Sequence, residues 1–166
     1  MRNPENLEVR QPNPDMEHAY ALLGASTPLE LSQRYSAVDQ ELMRTHQWDY
    51  ENPELLTNQV KEILEGIKPE DLNEDELEWR DSILWFWYHH ATSCAIFRHR
   101  NKQLALEFVE KALERQDPFN KITELLHLLI QDKVGEAKAW VAAIHEDPEK
   151  TTASELIEEY EREKWF

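Results

Sequence analysis

The order of apolar and polar positions along the chain reads as a run of helices. Leu31, Tyr35, Val38 and Leu42 recur at spacings of four, three and four, the interval that lines one face of an α-helix. The same period returns at Leu56, Val60, Ile63 and Leu64, at Leu104, Ala105, Phe108, Val109 and Ala112, and at Ile122, Leu125, Leu126 and Leu129. It appears again at Ala137, Trp140, Val141 and Ile144, and a last amphipathic stretch carries Leu156, Ile157 and Tyr160 among many acids. Between Leu77 and Ile96 the pattern is denser. Trp85-Phe86-Trp87-Tyr88 is apolar all round, which predicts a long helix buried at the centre of its domain.

Capping signals divide the run. Asp15 is placed to cap a short helix through Ala19, Leu22 and Leu23 that ends at Gly24, where a left-handed residue suits. Thr27-Pro28-Leu29-Glu30 joins a capping box to a proline at the first helical position, and Asn52-Pro53 repeats the cap-then-proline signal ahead of a helix that stops at Gly66. Asn73 with Glu76 is a further box. Asp117-Pro118 and Asp147-Pro148 punctuate the second half, and Thr152-Ala153-Ser154-Glu155 opens the final helix. The prediction is an all-α chain of about eight helices in stacked antiparallel hairpins or an irregular bundle, closed by a capping helix. Residues 1–15 read as an extended arm with three prolines. Residues 16–166 read as one domain, with 16–68 and 69–166 as its natural sub-parts.

One pair of segments repeats. Ala105, Val109 and Ala112 are spaced like Ala137, Val141 and Ile144 at an offset of 32, and Pro118 and Pro148 close the two units. Over about 85–148 this resembles the tetratricopeptide family, which implies paired helices stacked into a superhelix that holds a protein or peptide, with the final helix as polar cap. The match is incomplete. The family's first-helix tryptophan falls on His89 and Lys121, and its small first-helix position falls on Ser93 and on the bulkier Leu125. In the first third, Leu23-Gly24, a helix and then His46-Gln47-Trp48-Asp49 resemble the J-domain co-chaperones. Without their His-Pro-Asp signature, no ATPase stimulation is implied.

Charge narrows the partners. Thirty-four acids against 18 Lys and Arg give a formal charge of −16, which repels nucleic-acid phosphates and anionic membranes. No apolar stretch approaches the ~18 residues of a membrane span. A single cysteine, Cys94, forms no internal disulfide, and the start of the chain carries no charged-then-apolar signal, so a reducing cytoplasm is expected.

Among chemical motifs, Glu124-Leu125-Leu126-His127 has the Glu-x-x-His spacing of di-iron bundles, and His90 and Cys94 stand one helical turn apart, a spacing that suits two ligands of one ion. A second Glu-x-x-His is missing. The competing reading puts Glu124 in solvent, His127 at the edge of a leucine face, and Cys94 in the core as a small apolar residue. The sequence contains no Gly-x-Ser-x-Gly elbow, HExxH or phosphate-cradling glycine loop, so no cofactor is expected. Arg98, His99, Arg100 and Lys102 form the one concentrated basic patch, set against acidic clusters at 69–81 and 146–163. That polarity suits an acidic protein or peptide, or a second copy of the chain, while local pairing with the preceding helix end is the alternative. Trp48 with Tyr50, and Trp165 beside Phe166, are aromatics outside the helical pattern, which serve either as partner anchors or as caps tucked onto the fold. Three readings result: a non-enzymatic helical interaction module acting as adaptor or inhibitor, a metal-dependent helical-bundle enzyme, and an acidic DNA mimic or immunity-type inhibitor.

Overall fold

The computed structural model describes residues 13–45, 47–115, 120–144 and 149–166. Among these the chain is all-α, with eight α-helices and no strand. It divides into two compact units, one ending at Arg80 and one starting at Asp81. No described helix is long and apolar enough to cross a membrane.

Unit 1 is built from α1 (Pro14–Leu23), α2 (Pro28–Arg44) and α3 (Leu56–Glu65), each packed on the other two. Asn13, rather than Asp15, caps α1: its side chain accepts from the Asp15 N–H at 2.9 Å, leaving Pro14 at the first helical position where no N–H is needed. Asp15 and Glu17 then sit in the first turn against the positive helix end. Gly24 closes α1 at φ 63°, a backbone setting that excludes most side chains. Thr27 accepts from the Glu30 N–H at 3.2 Å and Glu30 reaches back to the Ser26 N–H at 2.8 Å, so the predicted box forms one residue wider than the standard reciprocal pair. Asn52-Pro53 does not start a helix. Asn52 takes the Glu54 N–H in a local turn and its carbonyl accepts from the Asn58 side chain, so α3 begins only at Leu56. The buried apolar set of this unit includes Met16, Ala19, Leu31, Tyr35, Val60, Leu64, Ile67 and Leu72. A 3-10 turn (Pro69–Asp71) leads into α4 (Glu74–Phe97), whose cap is Asn73, accepting from the Glu76 N–H at 2.8 Å as predicted. The first residues of α4 belong to unit 1: Trp79 stacks on Tyr20 with centroids 6.2 Å apart, and buried Arg80 donates Nη1 to the Ile67 carbonyl at 2.6 Å.

Unit 2 contains the rest of α4 together with α5 (Lys102–Leu113), α6 (Asn120–Ile130), α7 (Val134–Ala142) and α8 (Glu149–Arg162). Helix α6 packs on α5, α7 and α8, and α7 packs on α8, a succession of antiparallel hairpins. Ala105 and Ala137, fully buried, let helix backbones approach, and Val109, Leu125, Leu129, Ile130, Ala153 and Ile157 fill the core beside Ala95 and Ile96 of α4. Leu125, the bulky residue at the repeat's small position, is fully buried as well. Helix α4 is tied in by its aromatics. Trp85 donates its indole N–H to the Thr123 hydroxyl at 3.1 Å, and Trp87 meets Phe108 edge-on at 5.8 Å.

The two hairpin turns correspond at the offset of 32 read from the sequence. Arg100 (φ 50°) and Asp132 (φ 63°) are the two non-glycine residues with positive φ among the described residues, and α5 and α7 each begin two residues later. After α6 the Lys133 N–H bonds the Leu128 carbonyl and the Asp132 N–H the Leu129 carbonyl, the left-handed closure that ordinarily selects glycine. Helix α8 starts at Glu149 rather than at the Thr152 box, so that box lies inside it. Residues 1–12 of the expected arm, His46, and the two punctuating prolines Pro118 and Pro148 lie outside the described residues.

Candidate functional site

The two strained turns of unit 2 share a set of contacts. After α8, whose last helical bond runs from the Glu163 N–H to the Glu159 carbonyl at 2.8 Å, the chain leaves the helix axis and lays residues 163–166 against the α4–α5 turn. Arg100 holds this segment by its backbone: Nη1 donates to the Lys164 carbonyl at 2.9 Å and to the Trp165 carbonyl at 3.4 Å. Both acceptors are main-chain oxygens, so this grip is independent of the side chains it holds. Asp132, at the equivalent place in the α6–α7 turn, accepts a hydrogen bond from the Tyr160 hydroxyl on α8. Tyr160 in turn meets Trp165 edge-on at 5.1 Å, and Phe97 meets the same indole at 5.5 Å. Edge-to-face pairs at these distances are favourable beyond their buried area.

Trp165 is therefore a core residue, 1% exposed, whereas its neighbours Lys164 and Phe166 face solvent. Its indole N–H is buried and has no acceptor among the described residues. Beside it opens a cleft of about 340 Å³ bordered by Lys102, Ile130, Asp132, Tyr160, Lys164 and Phe166. That volume falls at the small end of ligand sites. The lining offers ammonium donors, carboxylates and aromatic faces, the chemistry of recognition.

Of the residues expected to bind a partner, the structure gathers Arg100, Lys102 and Trp165 at this turn edge. Arg98 is exposed on the same turn. Trp48 is buried, which removes it as an exposed anchor, and Tyr50 is half-buried in unit 1. The metal candidates scatter: none of Glu124, His127, His90 and Cys94 belongs to a set of three ligating side chains within 4.8 Å of one another among the described residues. Glu124 points to solvent, and His127 lies 3.5 Å from Glu110 across the α5–α6 hairpin instead. His90 stacks on Phe86 at 6.2 Å, and Cys94 is buried.

Asp132, Tyr160 and Phe97 were missed by sequence reasoning. The offset of 32 does lead from Arg100 to Asp132, and following it through the turns as well as through the helix faces would have found the second clamp. No family model, no curated protein and no solved structure matches the chain.

Proposed function

We propose that this chain is a non-enzymatic helical interaction module of the cytoplasm, an adaptor or inhibitor. In this reading unit 2 stacks its hairpins in the manner of tetratricopeptide arrays and takes a protein or peptide partner at the turn edge. The observation that carries the reading is one cleft where Lys102 and Lys164 meet Asp132, Glu161 and Glu163 beside the Tyr160 and Phe166 rings, with Arg100 on the adjoining turn. Ammonium and carboxylate groups set around aromatic faces favour a partner of complementary charge pattern and disfavour other approaches. Small residues at 105 and 137 and matching left-handed turns at 100 and 132 support the repeat-like stacking.

The test is partner retention by the tagged full chain from its native source. Arg100 and Trp165 are engaged with each other's segments rather than open to a partner, so charge reversal belongs at exposed Lys102 and Lys164. Lys102→Glu with Lys164→Glu is expected to lower retention roughly tenfold and to reduce its salt dependence, with the melting temperature unchanged. Equal retention by the folded double variant would overturn the assignment.

A further inference from the structure

We propose that residues 163–166 are an intramolecular ligand, a releasable occupant of a seat that a second, aromatic-anchored peptide can take. This rests on the turn edge being the partner site. The manner of holding is that of a bound peptide. Arg100 reads two backbone carbonyls, so it accepts any extended segment, and one side chain, Trp165, is buried while Glu163, Lys164 and Phe166 remain outside. A single large aromatic in a desolvated pocket is the usual anchor of an interface. Nothing helical is broken when the segment leaves, because the last α8 bond is made by the Glu163 N–H.

Two further features are explained by such a seat. Arg100 and Asp132 occupy left-handed positions where glycine is the unstrained choice, and both spend their side chains on the segment or on the Tyr160 ring beside it. The buried indole N–H of Trp165, without an acceptor among the described residues, marks the internal occupant as an imperfect fit. A peptide whose anchor also supplies that acceptor would fit the same pocket better. The adjoining cleft leaves room for a longer chain than the four residues that fill the edge.

The experiment needs no external partner, so its failure and a failure of the partner reading are separate results. The probe is a synthetic peptide of this chain's own residues 159–166, titrated into the full-length protein. A covalently linked segment competes at an effective concentration of about millimolar. Trp165→Ala empties the seat, and this variant is expected to bind the peptide at least ~10-fold more tightly than wild type, with a Trp→Ala version of the peptide inert. Equal affinity for wild type and the folded variant, or no binding to either, would overturn the proposal. Should Trp165→Ala fail to fold, Arg100→Gly keeps the turn and relieves its strain. Hydrogen exchange at the buried Trp165 indole N–H is then expected to accelerate at least ~10-fold while the α5 and α6 amides stay protected, and unchanged exchange would refute release of the segment.

Discussion

Replacing Tyr35 by Phe isolates one buried hydroxyl and gives a stability change whose size depends on pH in a defined direction. Tyr35 is 3% exposed on the inner face of α2, and its hydroxyl has no hydrogen-bond partner among the described residues. A buried hydroxyl left unpaired costs about 1–3 kcal/mol relative to a paired or solvated one, so Tyr35→Phe is expected to stabilise the protein by about 1 kcal/mol at pH 8. Burial also pushes the phenol's pKa well above its ordinary value of 10.0, and the nearby Asp39 carboxylate adds to the rise. Above pH 10 the unfolded chain gives up this proton while the folded chain keeps it. The stabilising contribution is thus complete below pH 10 and declines as pH rises, by about 1.4 kcal/mol per unit. At pH 11 the wild type has lost about 1.4 kcal/mol that the phenylalanine variant cannot lose, and the gap between them widens from about 1 to about 2.4 kcal/mol. Urea unfolding of both proteins at pH 8 and pH 11, compared at equal m-value, measures this difference and cancels the other tyrosines. A variant less stable than wild type at pH 8, or a gap that stays constant between the two pH values, would refute the reasoning.

Other expectations concern the stacking and the turns. Ala105→Leu and Ala137→Leu force bulk into fully buried crossings of the hairpins, and each is expected to lower stability by about 1–3 kcal/mol in chemical denaturation. Thr123→Val removes the acceptor for the Trp85 indole N–H at nearly constant volume and is expected to cost about 1–3 kcal/mol, with Thr123→Ser retaining most of the wild-type stability. Gly24→Ala meets no atom within 4 Å, so its cost of about 1 kcal/mol reports backbone strain at φ 63° alone, read as a shifted melting temperature.

Helices were legible because their signals are local. The Thr27 and Asn73 caps, Gly24 and the apolar spacing of α5 through α7 act within a few residues, and the structure uses each of them. Errors arose where one polar residue had two local options. Asn13 outcompetes Asp15 because it leaves the proline at the first helical position, and Asn52 spends its side chain on a turn before α3 can start. The site was half legible. Arg100, Lys102 and Trp165 stood out by charge and by size, but whether a tryptophan after the last helix is buried depends on the partners that α4 and α8 present, here Phe97 and Tyr160. Asp132 was invisible because aspartate tolerates left-handed backbone and is common in turns for other reasons. The spacing of Glu124 and His127 described one helix correctly, yet a metal site needs facing helices to contribute ligands, and α5 turns Glu110 toward His127 with no third ligand in that set among the described residues.

The central claim, that the turn edge of unit 2 is a seat for an extended, aromatic-anchored segment, is tested most directly by amide chemical-shift mapping. Isotopically labelled Trp165→Ala protein is titrated with the unlabelled peptide of residues 159–166. Saturable shifts concentrated at Arg100, Asn101, Lys102 and the Asp132 turn are predicted. A well-folded spectrum that does not respond, or shifts confined to surfaces away from these two turns, would contradict the claim.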